Sequence, residues 1–247
     1  MKGVILAGGL GKRLEPLTRI TNKHLLPVFN RPMIYYPLQT LIDAGIKDIM
    51  IVTGGNNAGD FLRLLGNGSE FGLKDINYTY QQGEGGIAAA LSLAEHFIAR
   101  DKFVVILGDN MVEKSIKQSV ERFKKQPKGA RILIKKVKDP ERFGVAELKG
   151  KKIVSIEEKP KKPKSDFIVT GIYMYDAKVF DFIHSLRPSK RGELEITDVN
   201  NSYLKSGDLY YDVLDGEWTD CGTFSSLLRA NLLAAKKENQ DLKKFLE

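Results

Sequence analysis

The start of the chain places an apolar strand directly before a glycine-rich loop, and this arrangement restricts the folds that the chain can adopt. Residues 2–7 are mostly apolar, and Gly8, Gly9 and Gly11 follow at once. Glycines after a strand permit tight turns and let backbone N–H groups approach a ligand closely. The pattern predicts a loop at the carboxyl end of a buried strand, where open α/β sheets bind their ligands.

Three cations accompany this loop, namely Lys12, Arg13 and Lys23. Cations beside exposed backbone N–H groups indicate an anionic ligand, most plainly a polyphosphate. The loop fits neither common glycine formula. A P-loop requires Ser or Thr after Gly-Lys, where Arg13 stands, and a dinucleotide fingerprint requires a glycine where Leu14 stands. We therefore predict a third kind of phosphate loop.

The remainder of the first half alternates between apolar β-branched runs and segments of helical periodicity. Strands are predicted at 3–7, 48–53, 76–81, 103–107 and 131–137. Helices are predicted at 33–44, 58–65, 86–97 and 115–125. Such alternation with short links predicts an α/β fold, in which a mostly parallel twisted sheet carries helices on both faces.

The pattern changes after about residue 138. Residues 144–148 and 152–158 read as two strands around a Lys-Gly-Lys turn, which indicates a hairpin. A further strand is predicted at 168–175, and helices at 178–185, 195–205 and 223–237. We predict a single domain of three parts: a nucleotide-binding half at 1–137, a small β-rich sugar-phosphate-binding half at 138–235 that shares the main sheet, and a tail at 236–247.

The composition limits the cellular compartment and the class of protein that we expect. No uncharged apolar run approaches the ~20 residues that a membrane helix needs, and the N-terminus lacks the pattern of a secretory signal. The single cysteine, Cys221, excludes an internal disulfide. We therefore expect a cytoplasmic protein without a membrane partner, in which Cys221 is a small buried hydrophobic residue.

The net charge of +8 raises the question of nucleic-acid binding, because residues 149–164 contain seven lysines. These lysines are interleaved with glutamates, and no basic stretch alternates with aromatic residues as a stacking platform would. The same charge would attract nucleoside triphosphates and sugar phosphates. We expect a solvated surface and no nucleic-acid partner.

Taken together, several segments resemble the sugar-phosphate nucleotidylyltransferases, and most closely the glucose-1-phosphate thymidylyltransferases in a short form. The segment 6–18 matches L-A-G-G-x-G-(T/K)-R-L-x-P-L-T. The segments 22–28 (NKHLLPV) and 31–38 (RPMIYYPL) match the following Lys before L-x-P-V and the K-P-M-I-x-Y pattern. The resemblance continues in register to about Ala235. It implies a Rossmann-like nucleotidyltransferase fold.

The resemblance implies a Mg²⁺-dependent transfer in which glucose 1-phosphate attacks the α-phosphorus of dTTP and pyrophosphate leaves. The nucleophile is a phosphate monoester with a second pKa around 6, so no general base is required. Arg13 and Lys23 would bind the phosphates, and Lys159 the sugar 1-phosphate. Asp109, after an apolar strand, and Asp220, in W-T-D-C-G-T, match the two metal ligands.

Substrate contacts also follow from the resemblance. The nucleotide is expected to contact Gly8, Gly9, Gly11, Gln81 and Gly86. Gln81 reads the base, because its amide offers a donor and an acceptor to a thymine or uracil edge. The sugar phosphate is expected to contact Gly144, Glu158, Lys159, Thr170 and Glu193. Gln82 replaces a proline and Ala89 a glutamine of the family pattern, which leaves the choice between dTTP and UTP open.

Other functions stay open at this stage. UDP-glucose formation ranks second and another sugar–nucleotide pairing third. A catalytically silent nucleotide-sugar sensor and a nucleic-acid-binding protein are the rivals from other classes. Relatives often continue several tens of residues beyond the last matched helix, with an interface and a regulatory nucleotide site. A homo-oligomer is expected here, but its size and any feedback inhibition are open.

Overall fold

The computed structural model describes residues 1–55 and 57–238. In chain order its strands, β1 to β13, are Lys2–Ala7, Pro27–Val28, Arg31–Pro32, Asp48–Gly54, Asp75–Gln81, Phe103–Leu107, Asn110–Val112, Ala130–Lys136, Gly144–Lys149, Lys152–Glu158, Phe167–Tyr175, Leu209–Val213 and Trp218–Asp220. Its helices, α1 to α8, are Tyr35–Asp43, Ala58–Leu65, Ile87–Ser92, Glu95–Ile98, Lys117–Lys125, Val179–Ser185, Ile196–Lys205 and Phe224–Lys237.

The strands of the first half form a parallel block in the order β5-β4-β1-β6. Ala7 pairs with Thr53, and Gly54 pairs with Gln81. Leu6 pairs with Leu107 on the other side of β1. Because these strands are parallel and in register, their carboxyl ends meet at one edge of the sheet. The loops that follow β1, β5 and β6 therefore lie side by side.

Strand β11 joins the second half to this block. Its residues Ile172 to Tyr175 pair antiparallel with β6. Nearer its start, Ile168 pairs with Val145 of β9. The β9–β10 hairpin thus lies beyond the carboxyl end of β6, next to the loops of the parallel block. On its other side β11 pairs with β8, and β8 with β12, which completes a nine-stranded sheet.

Apolar side chains cover both faces of this sheet. Along β1, Val4 and Leu6 belong to one buried cluster, whereas Ile5 and Ala7 belong to another, as the two-residue period of a strand requires. Helices α3, α4, α6 and α7 pack on the first face, and α1, α2 and α5 on the second. A third cluster beneath α8 includes Cys221, which is fully buried as predicted.

The predicted fold class is confirmed, and most predicted elements lie within two residues of their positions. The helix predicted at 86–97 is the exception, because it is divided into α3 and α4. The N–H group of Ala94 donates to the carbonyl oxygen of Leu91, and this short-range bond tightens the chain between the two helices. Strand β12 was not predicted, nor were the short strands β2, β3, β7 and β13.

Two other predictions concern surface and membrane. The seven lysines of 149–164 are all exposed, in agreement with a solvated surface. None of the helices within the described ranges is long and apolar enough to cross a membrane. Of the predicted tail at 236–247, residues 239–247 lie outside the described residues.

The junction of β1 and β4 generates a prediction about stability. A Cβ atom at Gly54 would lie 2.7 Å from the carbonyl oxygen of Gly8 and 3.1 Å from that of Gln81. Backbone atoms cannot move aside cheaply, so Gly54→Ala should lower the free energy of unfolding by about 1–3 kcal/mol. Urea-induced unfolding measures this change.

The matched control is Gly59→Ala in helix α2. Among the described residues, nothing outside the helix lies within 4 Å of the place that a Cβ atom at Gly59 would occupy. Alanine is the better helix former there, so this variant should gain about 0.5 kcal/mol. Equal stabilities for the two alanine variants would contradict the close approach at Gly54.

Candidate active site

The first of two adjacent cavities lies at the carboxyl ends of the parallel strands. It has a volume of about 330 Å³. Seven predicted site residues line it, namely Gly8, Gly9, Lys23, Gln81, Gly86, Asp109 and Glu193. They come from the loops that follow β1, β5 and β6 and from the segment before α7. The parallel register of the sheet therefore brings together residues that are far apart in sequence.

The second cavity lies between the parallel block and the β9–β10 hairpin. It has a volume of about 180 Å³. Six predicted site residues line it, namely Arg13, Asp109, Gly144, Glu158, Lys159 and Asp220. Three of the six are carboxylates, and the cations Arg13, Lys159 and Arg142 line the same cavity.

The two cavities meet at Asp109, which lines both together with Ile87 and Leu107. The Asp109 side chain is largely buried, and one carboxylate oxygen is 2.5 Å from the Lys23 ammonium nitrogen. Burial acts to raise the pKa of Asp109, but the adjacent positive charge outweighs it, and the pKa falls to about 2. Asp109 is therefore ionised where the cavities join.

Asp220 reaches the same place because β13 pairs antiparallel with β7, so that Asp220 lies opposite Asn110. The Arg142 guanidinium donates to both Asp220 carboxylate oxygens, at 3.1 and 3.3 Å. The Arg13 guanidinium also lies close by, since a Cβ atom at Gly222 would be 2.7 Å from Arg13 Nη2 and 2.8 Å from Asp220 Oδ2. Any side chain at Gly222 would displace one of the two.

Asn110 connects these parts, and the sequence analysis did not single it out. Its Oδ1 accepts hydrogen bonds from the Gly171 N–H group at 3.1 Å and from the Trp218 indole at 2.7 Å. Its Nδ2 donates to Asp109 Oδ1 at 3.1 Å. Asn110 thus holds three chain segments around the second cavity. Its position directly after Asp109 in G-D-N was the available signal.

Gln81 and Gly86 are in contact at the far end of the first cavity. The Gln81 amide nitrogen is 3.4 Å from the Gly86 carbonyl oxygen. Gly86 has a φ of 91°, and a Cβ atom there would lie 2.6 Å from the Leu194 carbonyl oxygen. Only glycine satisfies both the left-handed backbone and the close approach. The chain before α3 therefore passes tightly beneath the cavity.

Glu158 and Lys159 end strand β10 inside the second cavity. Thr197 donates to Glu158 Oε2 at 2.6 Å, and a Cβ atom at Gly144 would lie 3.1 Å from Thr197 Oγ1. Lys159 has a φ of 45°, a conformation that a residue other than glycine rarely adopts. Its N–H group donates to the Phe143 carbonyl oxygen at 3.0 Å, which anchors this turn.

Three predicted residues lie elsewhere than expected. Thr170 is fully buried and donates to the Leu133 carbonyl oxygen, so its side chain is turned away from the second cavity. Its neighbour Gly171 lines that cavity instead. Glu193 lines the first cavity, not the second. Gly11 lines neither and has a left-handed φ of 69°, and its carbonyl oxygen accepts from Thr18.

The two aspartates offer the ligands that Mg²⁺ prefers, which are carboxylate oxygens. Asp109 and Asp220 line one cavity, and both are largely buried. Within the described ranges there is no group of three or more His, Cys, Asp or Glu side chains suited to a metal. A pair of carboxylates still suffices for Mg²⁺, which usually keeps several waters. The donor set therefore fits this ion.

Comparisons with known proteins give matches along nearly the whole chain. A family model described as nucleotidyl transferase matches residues 2–237. The glucose-1-phosphate thymidylyltransferase of Neisseria meningitidis serogroup A is 47% identical over 234 residues, which cover 93% of this chain and 81% of that protein. The enzyme of the same name from Mycolicibacterium smegmatis is 46% identical, with coverage of 94% and 81%.

Solved structures show the same similarity. A Bacillus anthracis crystal structure described as a glucose-1-phosphate thymidylyltransferase, in complex with sucrose, has a TM-score of 0.91 and 56% identity, with 95% of each chain covered. A UDP-glucose pyrophosphorylase complexed with UDP-glucose has a TM-score of 0.85 at 25% identity, with 96% of this chain and 98% of that chain covered.

The contacts of Asn110 generate a prediction. Asn110→Ala leaves the Gly171 N–H group and the Trp218 indole without their acceptor, so the free energy of unfolding should fall by about 1–3 kcal/mol. Trp218 is the only tryptophan in the chain, so its fluorescence reports on this site directly. We expect a changed emission maximum in the folded variant. Gln118→Ala, which removes an exposed amide on helix α5, is the control and should shift stability by less than about 0.5 kcal/mol. Unchanged stability and emission in Asn110→Ala would contradict the role assigned to Asn110.

Proposed function

This chain belongs to the nucleotidyl transferase family, and we propose that it transfers a thymidylyl group from dTTP to α-D-glucose 1-phosphate, giving dTDP-glucose and pyrophosphate. Relatives that carry the name glucose-1-phosphate thymidylyltransferase are 42–47% identical over more than nine-tenths of the chain. The resemblance inferred from the sequence is therefore confirmed, and the chain is an enzyme of this type.

The observation that carries the proposal is the meeting of two cavities at one ionised carboxylate. The first cavity combines a glycine loop, Lys23 and an amide that can read a base edge. The second combines Arg13, Lys159 and carboxylates that can accept from sugar hydroxyls. We assign the nucleotide to the first cavity and the sugar phosphate to the second. The reacting phosphorus would then lie near Asp109.

The charged residues that line the first cavity support the binding of a divalent cation together with the nucleotide. Among the described residues, the first cavity is lined by one cation, Lys23, and by the carboxylates Glu84, Asp109 and Glu193. A triphosphate would meet repulsion there unless further positive charge came with it. We propose that Mg²⁺ is held by Asp109 and Asp220 and that, when bound, it neutralises charge on the α-phosphate and the leaving group.

The chain's own residues would perform the remaining tasks. Lys23 binds phosphate oxygens of the nucleotide in the first cavity. Arg13 lines the second cavity, and the planar fork of its guanidinium binds those phosphate oxygens of the nucleotide that extend past Asp109. Lys159 and Arg142 bind the phosphate of the sugar. That phosphate is already largely a dianion at neutral pH, so it attacks without a general base. The protein then contributes in-line positioning and relief of repulsion between two anions.

UTP is the second candidate donor, for a specific reason. Gln81 is the residue placed to read the base, and the edge that an amide reads is the same in uracil and thymine. Discrimination between dTTP and UTP must then come from the methyl group of thymine or from the ribose 2′-hydroxyl of UTP. Because a methyl group in a pocket is worth only about 1–3 kcal/mol, we expect UTP to be used at a reduced rate.

Three further expectations remain proposals. We propose that residues 1–137 serve nucleotide binding and 138–235 sugar-phosphate binding, which the two cavities support, although Arg13 belongs to the second. We propose a cytoplasmic enzyme, in keeping with a single buried cysteine. A homo-oligomer is proposed from the family resemblance.

A substrate screen tests the proposed reaction. Pyrophosphate release would be measured for dTTP, UTP, the other dNTPs and GTP, each against the 1-phosphates of glucose, galactose and mannose. The expected result is the highest kcat/KM for dTTP with glucose 1-phosphate, with UTP second. A preference for GTP with mannose 1-phosphate, or release in no combination, would overturn the proposal.

The metal assignment is tested by Asp109→Asn and Asp220→Asn. Each removes a charged oxygen ligand while keeping the side-chain shape, so kcat with Mg²⁺ should fall by roughly 10²- to 10³-fold. Circular dichroism should show an intact fold. The control is Asp75→Asn, an exposed aspartate at the start of β5, which should retain its activity. Full activity in either site variant would remove that carboxylate from the metal site.

A further inference from the structure

A buried amide in the second cavity has no role in the reaction described so far. Asn200 lies on helix α7, one turn after Thr197, and both residues line the cavity. Its side chain is only 1% exposed. Thr197 already holds Glu158, so this face of α7 presents two polar groups in succession to the same space.

The oxygen and the nitrogen of this amide differ in their hydrogen bonding. Oδ1 of Asn200 accepts a hydrogen bond from the Tyr175 hydroxyl at 2.6 Å. For Nδ2, no acceptor lies within hydrogen-bond distance among residues 1–55 and 57–238. Buried side-chain donors are nearly always paired, so an unpaired one inside a cavity points to a ligand.

The orientation of the amide follows from Tyr175. Tyr175 is fully buried, and its ring stacks between those of Tyr173 and Tyr203, with centroids 5.9 and 5.7 Å away. Burial raises the pKa of Tyr175 well above its usual value, so the phenol keeps its proton, and this buried hydroxyl donates it to Asn200. Oδ1 is the only acceptor on the Asn200 side chain, so it accepts the Tyr175 proton, and Nδ2 is left unpaired at the wall of the cavity that Asn200 lines.

We propose that Nδ2 of Asn200 donates a hydrogen bond to a ring hydroxyl of the bound sugar 1-phosphate and thereby helps to select the sugar. The inference rests on the proposed function, which assigns the sugar phosphate to this cavity. Asn200 lies three residues beyond Thr197, or roughly 4.5 Å along the helix axis. It therefore contacts a different hydroxyl from the one that faces Glu158 and Thr197.

Deoxy sugars test this contact. The kcat/KM of the wild type and of Asn200→Ala would be measured with glucose 1-phosphate and with its 2-, 3-, 4- and 6-deoxy analogues, at saturating dTTP. With glucose 1-phosphate the variant should lose about three- to tenfold, the usual worth of one neutral hydrogen bond. With the one analogue that lacks the contacted hydroxyl, the loss should disappear, because neither partner of the bond remains.

The neighbouring Asn201→Ala is the matched control, since its amide donates to the Ile156 carbonyl oxygen at 2.9 Å and does not line the cavity. Its effect should be the same for every sugar. Tyr175→Phe is the second variant, which keeps the ring and removes only the group that orients Asn200. It should show a smaller loss with the same analogue pattern, even if Asn200→Ala fails to fold.

The outcomes separate the two proposals. An equal loss with all five sugars in both Asn200→Ala and Tyr175→Phe would make Asn200 a structural residue and overturn the sugar contact, while the proposed function would stand. A wild type that uses none of the sugar 1-phosphates would overturn the proposed function, and the sugar contact with it.

Discussion

The active site depends on the pairing of two very short strands, β7 and β13. Each has three residues, and their pairing sets Asp220 opposite Asn110 across more than a hundred residues of chain. Asn110 then uses both ends of its amide, since it accepts from Gly171 and Trp218 and donates to Asp109. The carboxylates proposed to hold the metal are thus placed by backbone pairing and oriented by one buried side chain. Without this pairing, Asp220 would have no fixed position relative to Asp109.

Buried charge is the second constraint, and it is balanced in pairs. Asp109 faces Lys23, and Asp220 faces Arg142. The positive charge of Lys23 lowers the pKa of Asp109 and keeps this buried carboxylate ionised, whereas burial alone would favour its protonated form. In the proposed reaction these pairs would be exchanged when polyanionic substrates arrive with a cation, because each protein cation can move its hydrogen bonds from a carboxylate to a phosphate. The candidate site is organised before substrate binds, and its charges suit the proposed nucleotidyl transfer.

The predictions agree best with the structure where an element depends on residues that are close together in the sequence. Three elements were predicted to the residue, namely the strands at 103–107 and 152–158 and the helix at 58–65. Apolar periodicity and flanking turns mark these elements, and both are local properties of the sequence. The short strands β7 and β13 carry no periodicity of their own and exist only because each pairs with the other. The break between α3 and α4 likewise lacks a proline or glycine to mark it. Thr170 was placed in the site by its motif, but the alternation of a strand turns its side chain into the core and presents Gly171 instead.

The fold class, the glycine-rich loop after the first strand and the candidate charged residues could all be predicted, because they follow from local patterns and matched motifs in the sequence. Which cavity each residue lines depends instead on contacts that form on folding. Arg13 follows the glycine loop directly, yet its guanidinium lies beside Asp220 in the second cavity, whereas Lys23 lines the first. That Asn200 Nδ2 has no hydrogen-bond partner among the described residues could not be predicted from the sequence either. Whether a side chain makes a hydrogen bond depends on partners that meet only after folding. The spacing of residues in the sequence does not encode those partners.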